Sequence, residues 1–143
     1  MQWAAGPYMG GGWEPGVKET MDRFAAYLRP VAESLKGTVA SAAFPTQKGA
    51  ALKNIGWGVR AVDWGVATDE PDGSATYLHV LNPPQAKRLR IGMTADGSRF
   101  SSASLLPGKQ PVALELDKAG YVLTLPENAT WNPVHTAIKL EKK

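Results

Sequence analysis

The 143-residue chain has no cysteine, which excludes disulfide bridges and thiolate metal sites and leaves the redox compartment open. It also lacks any run approaching the roughly 20 apolar residues that a membrane-spanning helix needs, so no membrane partner is expected. Histidine is scarce. His79 and His135 are far apart in sequence and have no acidic partners at ligand spacing, so each is expected to decorate a strand and no metal site is expected. A strong charge excess is missing too, with 16 basic residues against 13 acidic ones for a formal net charge of +3. The bases are dispersed except for Lys87-Arg88-Leu89-Arg90 and Lys142-Lys143, and the alternation of Arg88 and Arg90 with Leu89 and Ile91 reads as the solvent face of a strand. A nucleic-acid binder would gather its bases on one face with aromatics interleaved, so no nucleic-acid partner is expected. The N-terminus shows no basic start followed by an apolar stretch, hence no visible signal peptide. Were Met1 an internal residue of a longer parent, that would say nothing about secretion.

What is present suits a soluble globular domain, with 43% hydrophobic and 20% charged residues. Val17, Met21, Phe24 and Leu28 recur at helical spacing with Ala25 beside Phe24, giving one apolar helix face. Pro15 fits the first turn, Glu14 and Glu19 suit the positive end of the dipole, and Pro30 is expected to end or kink the helix while Val31 and Leu35 extend its stripe. The stretch 37–51 mixes Gly, Ala, Ser, Pro and Thr and reads as a linker.

Beyond it, alternation predicts strands at 55–59, 62–68, 75–82, 88–93, 102–106, 112–116, 121–125 and 136–140. Asp72-Gly73, Pro83-Pro84, Asp96-Gly97, Pro107-Gly108 and Lys118-Ala119-Gly120 punctuate them at the intervals of a sandwich. The fold class is therefore mostly β, an antiparallel β-sandwich of about eight short strands preceded by one N-terminal α-helix. Its interior is expected from Leu78, Val80, Leu89, Ile91, Leu114, Leu116, Ile138 and Leu140, while 121–125 is apolar on both faces and leaves its parity open.

Asp69, Glu70 and Asp72 form an acidic cluster that invites a catalytic or calcium reading, but DEPDG between two strands is the ordinary composition of a turn and lacks calcium-loop spacing. Trp57, Trp64 and Trp131 are of the kind that stack on sugar rings and form the alternative carbohydrate platform. They serve equally well as core plugs, and the flanking Gly56 and Gly58 favour packing for Trp57. No nucleophile motif, histidine-centred triad or close carboxylate pair can be assembled, so the catalytic set is empty and an autonomous enzyme ranks last.

The Trp64-Gly65 hairpin, the strand Tyr77-Leu78-His79-Val80-Leu81 leading to Pro83, and Leu125-Pro126 before a final apolar strand together resemble the C-terminal β-sandwich of α-L-fucosidases of glycoside hydrolase family 29. Trp3-Ala4-Ala5-Gly6-Pro7, Gly10-Gly11-Gly12, the helix, and Glu33-Ser34-Leu35-Lys36-Gly37-Thr38 resemble that family's last barrel strand, loop, helix and linker. Ala4-Ala5 stand where the family usually has Asn-Val, which puts a polar contact from the strand end in doubt. The resemblance spans nearly the whole chain. It implies residues 1–40 as the remnant of a (β/α) barrel end and 41–143 as the sandwich domain. It further implies a parent that hydrolyses terminal α-L-fucosides with retention, using two carboxylates and no cofactor.

In such enzymes the nucleophilic Asp sits on an earlier barrel strand, and a complete barrel takes roughly 250 residues. The chain is therefore expected to be a fragment or degenerate relative, inactive alone. Tyr8 and Trp13 flank the glycines in the loop on the substrate face and are the ligand-binding candidates when a barrel is present. The expected partner is the missing barrel, or a second copy through Met21, Phe24 and Leu28, with carbohydrate as a further ligand. A stand-alone carbohydrate-binding sandwich is the competing function. The compartment stays open, and an extracytoplasmic parent is compatible.

Overall fold

The structure, a computed structural model, describes residues 12–45, 47–48, 59–60 and 64–143. Helix α1 (Val17–Leu28) forms where the apolar spacing requires it, with Glu19 in its first turn. It passes directly into a 3₁₀ turn (Arg29–Ser34) whose second residue is Pro30, which has no N–H to continue the α-helical hydrogen bonding. No residue of α1 is buried, whereas Val31 and Ser34 of the 3₁₀ turn are. The expected extension of the stripe holds for Val31 and fails for Leu35, which is 43% exposed.

The strands are β1 (Val39–Ala40), β2 (Gln47–Lys48), β3 (Val59–Arg60), β4 (Gly65–Asp69), β5 (Ala75–Val80), β6 (Arg88–Ile91), β7 (Phe100–Leu106), β8 (Gln110–Asp117), β9 (Gly120–Thr124) and β10 (Thr136–Lys142). β2 pairs only with β3, and the other eight form one antiparallel sheet in the order β1-β4-β5-β10-β7-β8-β9-β6. The sheet folds over itself at β8. Gln110, Pro111 and Val112 register with β7, whereas Ala113 to Asp117 register with β9, so one strand serves two layers and makes the corner.

The core lies inside that fold. Leu78, Val80, Ile138, Leu140 and Phe100 from one layer meet Leu89, Ile91, Tyr121, Leu123 and Leu125 from the other. The parity of 121–125 is settled, with Tyr121, Leu123 and Leu125 inward and Val122 on the opposite face between Arg90 and Glu115 of the neighbouring strands. Leu116 departs from the expected interior. It is 44% exposed although its partner Tyr121 is in the core, because β7 registers only with Gln110 to Val112 and leaves β8 from Ala113 to Asp117 as the edge of its layer. Leu114, nearer the corner, is half-buried.

The stretch read as a linker also does more than connect. Ser41, Ala43 and Phe44 are buried, and Phe44 stacks on Phe100 and meets Trp64 edge-on. Their backbone is pinned at both ends of this short run. The Ser41 N–H donates to the Ala67 carbonyl at 3.2 Å, and the Ala43 carbonyl accepts from the Ala95 N–H at 2.8 Å.

Gly65 is required by close approach. A Cβ there would stand 1.9 Å from the His79 carbonyl oxygen, so β4 can lie against β5 at this point only without a side chain. The outer face of the first layer is covered by the helical segment, with Val31 packed among Tyr77, Leu106 and Ala137. This is why all six residues of β5 are buried although its two faces differ in polarity.

Candidate functional site

A groove of about 400 Å³ runs between the helical segment and the sheet. Tyr27, Pro30 and Val31 form one wall, and Leu106, Gln110, Asn132 and His135 form the other. Among the described residues that line it there is no carboxylate, and its one imidazole belongs to a pair. His79 Nδ1 and His135 Nε2 are 3.0 Å apart with their rings stacked at 5.2 Å, and the His135 ring lies 6.2 Å from that of Tyr27.

The proton positions follow from Thr68. Its hydroxyl donates to the Ser34 carbonyl at 2.9 Å and so can only accept from His79 Nε2 at 3.1 Å. His79 therefore carries its proton on Nε2, and its Nδ1 accepts from the Nε2–H of His135. Burial and then the neighbouring His135 charge push His79 down from 6.5 to about 4, and burial also lowers His135. Both rings are accordingly neutral at neutral pH. His79 decorates β5 as expected, whereas His135 stands one residue before β10, and the two, far apart in sequence, meet in space. The β5–β10 register sets Ala137 opposite His79, which brings His135, two residues earlier, onto the same face.

The acidic cluster resolves into structural roles. Asp69 is buried and accepts from the Thr76 hydroxyl at 2.6 Å and the Ala42 N–H at 3.0 Å. Glu70 accepts from the Tyr77 hydroxyl at 2.6 Å, and Asp72 closes the turn by accepting from the Ser74 N–H. Elsewhere Arg90 holds the Asp117 carboxyl down at about 2. Among the described residues no cluster of His, Cys, Asp and Glu is suited to a metal ion.

Of the residues singled out from the sequence, Tyr8 and Trp57 lie outside the described residues, as does the segment expected to be the last barrel strand. Trp13 is 43% exposed ahead of α1. Trp64 is buried against Phe44, and its carbonyl accepts from the Leu81 and Asn82 N–H groups across the hairpin. Trp131 is half-buried against the same core, its Nε1–H donating to the Ala86 carbonyl at 2.8 Å. The structure thus brings Trp64 and Trp131 to one core and places Trp13 apart from both.

This architecture recurs in solved structures. An α-L-fucosidase of glycoside hydrolase family 29 from Bacteroides thetaiotaomicron superposes with a TM-score of 0.72 at 21% identity, over 97% of this chain and 27% of that one. The chain has the fold of one segment of these fucosidases. Isoenzyme 1 from Paenibacillus thiaminolyticus gives a TM-score of 0.67 at 19% identity over 97% of this chain and 30% of its own. The Thermotoga maritima α-fucosidase gives 0.62 at 11% identity over 95% and 29%. This chain therefore spans less than a third of the length of these fucosidases. No protein-family model and no curated protein matches it by sequence. Among the described residues no helix is long and apolar enough to cross a membrane.

Proposed function

We propose that this chain is the non-catalytic C-terminal β-sandwich portion of an α-L-fucosidase-like glycoside hydrolase, and that it stabilises or completes a barrel that hydrolyses terminal α-L-fucosides. The observation that carries this reading is the asymmetry of coverage. Almost all of the chain superposes on the fucosidases, and it accounts for about 30% of their length. The fates of the carboxylates agree with a non-catalytic role. Retaining hydrolysis needs two carboxyl groups about 5–5.5 Å apart across a sugar, whereas Asp69, Glu70, Asp72 and Asp117 are each engaged in a local contact.

Helix α1 gives the partner a place to act. Twelve residues are marginal as a helix in water without packing, yet none of these is buried. Met21 stands 37% exposed on the apolar stripe, with Leu28 half-buried. Covering this face is the role assigned to the barrel.

The test is hydrolysis of a chromogenic α-L-fucoside by the chain alone, by a separately produced fucosidase barrel, and by their mixture. Activity that rises on mixing supports the reading, while activity from the chain alone overturns it. A carbohydrate-binding module built on Trp57, Trp64 and Trp131 is the weaker alternative, because Trp64 is consumed by the core.

A further inference from the structure

We infer that the His79–His135 pair is a pH-sensitive latch that fastens the helical segment, α1 with its 3₁₀ turn, to the outer face of the sheet. The pair has two lines of attachment. One runs from His79 Nε2–H through the Thr68 hydroxyl to the Ser34 carbonyl at the end of the 3₁₀ turn. The other runs from His135, hydrogen-bonded to His79, to its ring contact with Tyr27 on α1.

Proton accounting makes the first line sensitive to acid. A proton added to His135 enters at Nδ1 and leaves its Nε2–H donating to His79. With His135 already charged and no longer able to shift its tautomer, a proton added to His79 has only Nδ1 to occupy, and there it faces the Nε2–H of His135 across 3.0 Å. Two donors then oppose each other, two cations stack at 5.2 Å, and the rings must separate. Separation tilts His79 away from Thr68 and loosens the bond to Ser34.

The charged and titratable groups around the pair do not offset this. On the covered face they are Tyr27 on α1, Glu33 on the 3₁₀ turn, Tyr77 on β5, Lys139 and Glu141 on β10, and Glu70 after β4. Glu70, Glu33 and Glu141 act on the Tyr77 hydroxyl, and Lys139 stands 5.9 Å over its ring. Thr68 on β4 is uncharged. The imidazoles answer to burial and, for His79, next to His135; the Ser34 backbone favours charged His79 but is the smallest of the three influences.

The experiment follows the histidine Cε1–H resonances of the full chain by NMR from pH 7.5 to 3.5. In parallel, amide exchange is corrected for the intrinsic rate at each pH, with residues 29–36 compared against β9 as internal reference. In the unmodified chain, protection of 29–36 relative to β9 is expected to fall by about tenfold or more, in step with His79 titration below the ordinary histidine range. His135→Gln takes up no proton and can turn its amide to offer Oε1 to a protonated His79 Nδ1, so residues 29–36 are expected to stay protected through the His79 titration in this variant. Thr68→Val cuts the line to Ser34 without touching either ring. It is expected to lower protection of 29–36 about tenfold at pH 7 and flatten the pH response, while β9 is unchanged. In the unmodified chain, a step that ignores the His79 midpoint or a His79 titration that leaves 29–36 protected overturns the latch, as does a His135→Gln chain that still loses protection or a Thr68→Val chain that behaves like the unmodified one. Should His135→Gln not fold, Thr68→Val decides alone.

Discussion

Replacing Asp69 by alanine separates a structural carboxylate from a functional one. Asp69 is 6% exposed, and Thr76, whose hydroxyl it accepts at 2.6 Å, is fully buried. The Ala42 N–H, 3.0 Å from the other oxygen, ties the stretch before Phe44 to the sheet edge. Lys142 Nζ at 3.8 Å adds a largely buried opposite charge. Truncation strands both hydrogen-bond donors, at about 1–3 kcal/mol each for groups out of water. Part is recovered as the hydroxyl rotates, so a loss of about 3 kcal/mol is expected. For a chain of this length that is about 10 °C in Tm.

Trp64 reports unfolding directly, because it sits in the core against Phe44. Urea titration of its fluorescence and a thermal scan give the two numbers independently. Asp72→Ala is the internal control. That carboxylate only closes an exposed turn, and its Tm is expected to stay within about 2 °C of the unmodified chain. Asp69→Asn should fall between, since the amide can accept from Thr76 but sets its own N–H against that of Ala42. An Asp69→Ala loss no larger than that of Asp72→Ala would refute the assignment. So would a rise of several degrees in Tm on adding millimolar calcium, which would return the cluster to ligand binding.

Leu123→Ala, at a fully buried position, is expected to cost about 2–5 kcal/mol by urea unfolding, while Leu116→Ala on the exposed edge of β8 costs under about 1 kcal/mol. Gly65→Ala forces a Cβ into the His79 carbonyl and should lose at least about 3 kcal/mol, read by the same titration or by failure to fold. Because the folded state holds His79 near 4 against 6.5, the unfolded chain takes up the proton first. The stability is complete above pH 6.5 and lost by about 3 kcal/mol as pH falls toward 4, a slope that His79→Gln should remove from urea midpoints measured across that window. Met21→Glu, on the exposed stripe of α1, is expected to leave the Tm of the chain unchanged within about 2 °C and to abolish the gain of fucosidase activity on mixing with a barrel.

The local parts of this fold were legible because their causes are local. The β4–β5 turn is written in Asp72-Gly73, where a carboxylate caps the turn and glycine supplies a positive φ of 76°. The change from α-helix to 3₁₀ is written in Pro30. Alternation placed Leu78, Val80, Leu89, Ile91, Ile138 and Leu140 inside, where they are. It misplaced Leu116, because a period of two says which side chains share a face but not where a strand loses one neighbour and becomes the edge of its layer. The run 37–51 looked like a connection because it has few large residues. Its one phenylalanine is nonetheless a core residue, held by hydrogen bonds to residues 67 and 95 that no local pattern announces.

The histidine pair was hidden for the same reason, one level up. Both strands that carry it were assigned, yet their adjacency depends on β10 entering the sheet between β5 and β7, an insertion decided by the closure of the whole sandwich. Given that order, the period-two rule places His135 and His79 on one face with Ala137 between them in register. That face bears on the role of the helical segment. The segment docks through Val31 and the Ser34 carbonyl, on the 3₁₀ turn, and the apolar stripe of α1 is not what binds it to the sheet. The sequence repeats that stripe at Val17, Met21, Phe24 and Leu28 as regularly as any packed helix would. The two faces thus answer two different demands. The polar, acid-sensitive one holds the segment to this sandwich, and the apolar one is what a barrel would cover.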